Sequence, residues 1–288
     1  MEPILEIRNL TKEFKDFKLN NINLKMDKGY VMGFIGPNGA GKSTTIKLIL
    51  NLLKRDSGSV KVLGLDNIKD ENKIKDKIGF ILDENYYYDE LNINEIKKII
   101  SSYYTKWDDN TFNKYIKDFN LPRNKKIKNL SKGMKMKFSL AIALSHDAEL
   151  LIMDEPTSGL DPIVRNELLE ILYEVIQDEN KGVFFSTHIT SDLDKIADYI
   201  TFIKDGEIVF SEAKDDIIEN YGLIKGSNDL LNNEVRKEFI GLKESKFGFE
   251  GLIKDKYKIK KLFNDDVIVE RPSLEEIMLY FTRRSINV

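Results

Sequence analysis

YVMGFIGPNGAGKSTTIKLIL, residues Tyr30–Leu50, decides how the rest of the chain is read. Tyr30–Ile35 is a short apolar run of strand type, and Thr44–Leu50 has the pattern of a helix. Between them Gly36–Ser43 fits the spacing G-x-x-x-x-G-K-[ST] without a mismatch. Glycines let backbone N–H groups of such a loop turn toward phosphate oxygens, and the following helix adds the positive end of its dipole. Gly36, Pro37, Asn38, Gly39, Ala40, Gly41, Lys42, Ser43 and Thr44 are therefore the expected nucleotide contacts. Lys42 would reach the β- and γ-phosphates, and the Ser43 hydroxyl would hold Mg²⁺. A plain glycine turn is the bland alternative; a strand before the loop and a helix after it weigh against that reading.

At 288 residues the chain has room for one large or two ordinary domains. Its 45 basic and 48 acidic residues nearly cancel to a net charge of −3, which gives no electrostatic footprint for nucleic acid, and no nucleic-acid partner is expected. The absence of cysteine excludes disulfides, thiolate nucleophiles and cysteine-ligated metals. The first residues, MEPILEIRNL, lack a basic segment followed by an apolar core, and no apolar run approaches about 18 residues, so a soluble, unexported chain is expected.

Ile4–Ile7 and Leu19–Met26 alternate as half-exposed antiparallel strands. Phe14, between them, is either a packing residue or a ring offered to a purine. Ser59–Leu63 reads as a strand, Asp66–Lys77 as a charged helical stretch, and Ile78–Leu82 as a buried strand ending at Asp83 and Glu84, carboxylates that could reach a metal or lie solvated in a loop. From Asn85 to Asn129 the period turns helical and aromatic. Tyr86, Tyr87 and Tyr88 at its entrance are either a docking surface or, with two of the three buried, core. Ser131 is placed to cap the helix that follows, whose N-terminus is an anion site or simply a capped end.

Leu150–Met153 is an apolar strand of parallel-sheet type running into Asp154-Glu155-Pro156. A strand that delivers a carboxylate beside a phosphate loop is the second metal-holding element of P-loop ATPases: Asp154 would hold Mg²⁺ and Glu155 would orient the attacking water. Ser158–Asp161 is a turn, Pro162–Gln177 a helix, and Val183–Ser186 a strand ending at Thr187-His188, where His188 could donate to a γ-phosphate. Tyr199–Ser211 is a hairpin turning at Asp205-Gly206. Beyond Gly222 the periodicity weakens to a small α+β unit with a strand at Val267–Val269 and a helix at Ser273–Phe281.

In this order the pieces resemble the ATP-binding subunit of ATP-binding cassette (ABC) transporters over about residues 4–220. The resemblance implies an α/β P-loop NTPase of RecA-like type: a parallel-sheet core, an antiparallel β subdomain, a helical subdomain at about 85–145, and a small C-terminal α+β extension. It divides the chain into an ATPase domain, 1–222, and an accessory domain, 223–288. Phe14 takes the place of the adenine-stacking aromatic, more often Tyr, and LSKGM at Leu130–Met134 that of the signature LSGGQ. Ser131, Gly133 and Asp161 would face an ATP held by a second subunit, because the family's ATPase is a head-to-tail dimer.

Two residues depart from the family pattern. Asp83 stands where the family has a metal-contacting Gln, and in the signature Lys132 and Met134 replace Gly and Gln. LSKGM and the terminal RPSLEEIMLYFTR are similar to the exporter subclass whose ATPase and permease are separate chains, which includes antimicrobial-peptide, toxin and drug exporters. The implied cofactors are ATP and Mg²⁺. The implied partners are an integral membrane permease and a second ATPase subunit, identical or different, on the cytoplasmic face of the membrane. A soluble cassette acting on ribosomes or DNA, and a P-loop GTPase or small-molecule kinase, are the competing classes.

Overall fold

The continuous apolar runs and the alternating ones sort into different sheets, as their burial demands. The structure, a computed structural model, describes residues 2–83, 86–263 and 266–282, without the side chains at 259–262. Glu84, Asn85 and Arg283 thus lie outside the described residues. The chain forms two compact units, Met1–Ser211 and Glu212–Val288.

In the first unit the strands β1 (Leu5–Glu13), β2 (Lys18–Met26), β4 (Ser57–Val62) and β5 (Leu65–Asp66) form an antiparallel sheet in the order β2-β1-β4-β5. Leu5 lies opposite both Met26 and Val62, and Ile7 opposite Leu24 and Val60, so one face of the sheet is apolar and buried. The second sheet has the order β10-β9-β3-β8-β7-β6, from β3 (Val31–Ile35), β6 (Ile78–Ile81), β7 (Leu150–Asp154), β8 (Gly182–Thr187), β9 (Tyr199–Lys204) and β10 (Glu207–Ala213). From β9 to β6 its pairs are parallel, and β3, β7 and β8 are buried along their whole length. Asp205 and Gly206 have φ of 49° and 80°, the left-handed pair that a tight hairpin between β9 and β10 requires.

Helices α1 (Lys42–Ile49), α2 (Glu71–Lys75), α6 (Pro162–Val175) and α7 (Thr190–Ile196) belong to this core. The helical stretch expected over Asp66–Lys77 is shorter than its charge pattern suggested. Asp66 ends β5, and its carboxylate accepts from the N–H groups of Ile68 and Lys69 at 3.0 Å, holding a turn that delays the helix to Glu71.

Between β6 and β7 lie α3 (Ile93–Ser101), α4 (Asp109–Asp118) and α5 (Lys132–Leu144), packed around Ile93, Ile96, Phe112, Ile116 and Phe138. Asn92 and Glu95 cap α3 reciprocally, at 3.0 and 2.8 Å. The expectation that two of the three tyrosines at the entrance are core is overturned. Tyr87 alone turns inward, 5.1 Å from the Phe138 ring, and burial pushes its hydroxyl up to about 12. Tyr86 and Tyr88 stand 62% and 71% exposed.

The second unit holds α8 (Lys214–Asn220), β11 (Gly222–Gly226), α9 (Asn233–Arg236), β12 (Gly241–Ser245), β13 (Gly248–Ile253), α10 (Lys256–Phe263), β14 (Ile268–Glu270) and α11 (Leu274–Thr282). Its sheet is antiparallel, in the order β12-β13-β11-β14, over a small cluster of Ile224, Phe249, Ile253 and Phe263. Three of its four strands carry no signal recognised in the sequence. Among the described residues no helix is long and apolar enough to cross a membrane.

His146 ties two of these elements together. It is 1% exposed and stacks on Tyr104 at 3.7 Å between ring centroids, with Nδ1 2.9 Å from the Ile142 carbonyl of α5 and Nε2 3.0 Å from the Ile78 carbonyl of β6. Burial lowers its pKa below the ordinary value of 6.5, and the opposing pull of the two carbonyls, Asp76 and Asp147 does not overcome it. A ring kept neutral when folded binds fewer protons than the same ring unfolded, so its contribution is intact at neutral pH and is lost as pH falls below about 6.5. Thermal unfolding should therefore show a Tm that declines over this window, with a shallower decline in His146→Gln; equal slopes in the two proteins would contradict the neutral ring.

Candidate functional site

The parallel register brings three strand ends level. Ile35 of β3 pairs with Thr187 of β8, and Ser186 of β8 pairs with Asp154 of β7, so the segments that follow leave the sheet side by side. The residue after β3 opens the glycine loop, and α1 begins at Lys42 with Gly41 in the left-handed region at φ 110°. A Cβ at Gly41 would meet Leu19 Cδ1 at 2.9 Å and Phe17 Cζ at 3.0 Å, so both conformation and space require glycine there. At Gly39, φ 79°, a Cβ would meet nothing within 4 Å, which leaves that side of the loop open to a ligand. Asn38, Gly39 and Ser43 are exposed, Pro37 and Thr44 half-buried, and Gly36, Ala40 and Lys42 buried.

Lys42 folds back across the loop. Its ammonium donates to the Gly36 carbonyl at 2.9 Å and the Pro37 carbonyl at 3.4 Å, and lies 3.3 Å from Glu155 Oε1. The other carboxylate oxygen of Glu155 accepts from His188, from Nδ1 at 2.8 Å and from the backbone N–H at 3.3 Å. One carboxylate thus joins the loop lysine to the histidine beyond β8. Asp154, 4% exposed, accepts from the Ser186 hydroxyl at 2.6 Å, and that hydroxyl accepts from the Glu155 N–H at 3.0 Å. Glu155 itself has φ 50°, a left-handed conformation that costs a non-glycine residue about 1–2 kcal/mol. Its N–H bond to the Ser186 carbonyl, at 3.1 Å, and its two side-chain partners hold it there.

The site residues therefore fall into two groups. Lys42, Asp154, Glu155 and His188 converge at the loop. Ser131, Gly133, Asp161 and Asp83 belong to a second patch. Ser131 caps α5, accepting from Met134 N–H at 3.2 Å; a Cβ on Gly133 would sit 3.2 Å from Val164 of α6; and Asp161 caps α6, accepting from Ile163 and Val164 at 3.1 Å. Asp83, 52% exposed, pairs with Lys132 Nζ at 3.1 Å. Phe14 is 41% exposed, its ring 6.2 Å from Phe17, which in turn touches the loop at Gly41. A hydroxyl from Ser43 and a carboxylate from Asp154 make the hard-oxygen donor pair that suits Mg²⁺ together with phosphate oxygens. Among the described residues no three His, Asp or Glu side chains cluster as a metal site by themselves.

Several contributors were not visible in the sequence. Ser186 and Phe17 are two. Asp192 is a third: wholly buried, it accepts from Thr157 Oγ1 at 2.6 Å and Arg165 Nε at 2.5 Å, pinning the segment just after Glu155 to α6. Paired aromatics in one turn, at Phe14 and Phe17, were the one available signal; the others depend on contacts across more than 25 residues. A cavity of about 650 Å³ opens away from the loop, lined by Phe80, Asp83, Tyr86, Tyr103, Lys132 and Met136 among others.

A sequence family described as ABC transporter matches residues 19–158, which include the glycine loop and Glu155. A lantibiotic transport ATP-binding protein of Streptococcus pyogenes is 36% identical over 235 residues, covering 81% of this chain and 97% of that protein. A bacitracin transport ATP-binding protein of Bacillus licheniformis is 32% identical over 212 residues, covering 73% and 69%. Among solved structures, an ATP-binding subunit of an ABC transporter superposes with a TM-score of 0.69 at 26% identity, covering 75% of this chain and 92% of that one. A dimeric cassette in a post-hydrolysis state, bound to ADP and Pi, has the same fold, with a TM-score of 0.64 at 24% identity over 73% of this chain and 98% of that one. With its strand ends, glycine loop and acidic pair arranged as above, the chain belongs to the ATP-binding subunits of ABC transporters and is an ATPase.

Proposed function

We propose that the chain hydrolyses Mg·ATP as one half of a head-to-tail pair of cassette subunits, and so drives a separate membrane permease that exports antimicrobial peptides or related compounds. The observation that carries this reading is the convergence of Lys42, Glu155 and His188 on an open-faced glycine loop. Lys42 would leave Glu155 for the β- and γ-phosphates, which carry more negative charge than one carboxylate. Glu155, so released, would orient the attacking water, and His188 would donate to the γ-phosphate. Mg²⁺ would be held by Ser43 and Asp154 and would neutralise charge on the phosphates, while Asp83, expected beside it, pairs instead with Lys132 in the second patch.

An exposed phosphate loop cannot exclude water alone, and a second subunit supplies the cover. Ser131 and Gly133 at the N-terminus of α5, with the turn before Asp161, would face the ATP held by the partner. Phe14 would stack on the adenine. The names of the lantibiotic and bacitracin relatives are what support peptide export. In this assignment the first unit is the ATPase domain and the second an accessory domain, and the subunit sits on the cytoplasmic face through its permease. The cavity lined by Phe80, Tyr86 and Tyr103 would receive a permease segment, since these rings stand 39%, 62% and 77% exposed around it.

Two variants test the reading. Glu155→Gln should keep ATP binding, accumulate an ATP-bound dimer and lose turnover by about 10²-fold or more; normal hydrolysis in that variant would remove Glu155 as the water-orienting group. Phe80→Asp with Tyr103→Asp should leave the ATPase of the isolated chain unchanged and abolish co-purification with the permease, whereas undiminished recovery of the permease would place its docking surface elsewhere.

A further inference from the structure

Ser186 carries a hydroxyl into a part of β8 that is otherwise apolar. Val183, Phe184 and Phe185 precede it, all wholly buried, and Ser186 is itself wholly buried between Phe34 of β3 and Asp154 of β7. A buried hydroxyl is tolerated only where it finds partners. Here the partners are the two acidic residues of the site. The hydroxyl donates to Asp154 Oδ1 at 2.6 Å and accepts from the Glu155 N–H at 3.0 Å. Asp154 is 4% exposed, and among the described residues its second oxygen, Oδ2, accepts no hydrogen bond. A buried carboxylate with one oxygen left open in this way lacks a positive partner.

We propose that Ser186 is a positioning residue for ATP hydrolysis, whose one hydroxyl sets both the Asp154 oxygen left for Mg²⁺ and the backbone that aims Glu155. This rests on the Mg·ATP reading above. By occupying Oδ1, Ser186 stops the Asp154 carboxylate from rotating and reserves Oδ2 for the metal. By bonding the Glu155 N–H, it sustains the left-handed backbone, φ 50°, from which the Glu155 carboxylate reaches Lys42 and His188.

The direction of the two bonds links them. A serine hydroxyl has one proton and two lone pairs, and an N–H can only donate. The Glu155 N–H therefore takes a lone pair, and the proton is left for Asp154, which accepts it at Oδ1 in its ionised form, the form that also binds a cation. The state of the metal-holding carboxylate is thereby tied to the backbone of the water-orienting residue through a group that touches neither nucleotide nor water. Lys42 is held separately, by the carbonyls of Gly36 and Pro37. Loss of the hydroxyl should disturb the metal and Glu155 together and leave the grip on the triphosphate in place.

The test has two readouts. In the full chain carrying Glu155→Gln, with ATP present, Mn²⁺ is the probe and electron paramagnetic resonance follows its binding. Ser186→Ala should weaken Mn²⁺ binding about tenfold and change metal-free ATP binding by no more than about twofold. With Glu155 intact, Ser186→Ala should lower kcat about tenfold with KM for ATP nearly unchanged, and Ser186→Thr, which keeps the hydroxyl on a strand-favouring side chain, should recover both readouts. A serine with a merely structural role would lower Tm and leave the Mn²⁺ constant unmoved. That result, or a Ser186→Thr chain that folds as stably as Ser186→Ala and is equally impaired, overturns the proposal. If the Glu155→Gln parent itself binds no Mn²⁺ with ATP, it is the Mg·ATP reading that fails.

Discussion

A single carboxylate organises the face around the glycine loop. Glu155 touches Lys42 with one oxygen and His188 with the other, and these partners come from α1 and from the end of β8. The link is possible only because β3, β8 and β7 are adjacent and parallel, with their ends in register. It is also held under strain: the left-handed backbone of Glu155 is sustained by Ser186, which bonds its N–H and the Asp154 carboxylate together. A slip of one residue between β7 and β8 would turn Asp154 and Glu155 to opposite faces and dissolve the site.

How much of this was legible in the sequence follows from how local each signal is. The glycine loop could be read because its spacing encodes a backbone path, and the neighbouring strand and helix fixed its orientation. Asp154, Glu155 and His188 could be placed at strand ends because fully buried parallel strands leave unbroken apolar runs. Ser186, Asp192 and Phe17 could not, since each acts through a partner more than 20 residues away that pattern alone does not reveal. The second unit was least legible. β12 and β14 bury few side chains, and a strand of three residues such as Ile268–Glu270 has no room to show alternation.

The departures from the family pattern at Asp83 and Lys132 look independent in the sequence, 49 positions apart, yet the fold sets them against each other. An acidic residue in place of a neutral amide and a lysine in place of glycine are intelligible as one change. Either alone would lack the partner that balances its charge. Together they form an ion pair on the lining of the aromatic cavity proposed for the permease.

The central claim is that each active site is assembled from two chains, the glycine loop of one and the start of α5 of the other. Mixing chains carrying Lys42→Ala with chains carrying Ser131→Arg measures this directly, because a head-to-tail heterodimer of the two has one ruined site and one wholly intact site. Each variant alone should be nearly devoid of ATPase activity, and the mixture should regain a substantial part of it. A mixture no more active than its components, or a Ser131→Arg chain with undiminished activity on its own, would contradict the account.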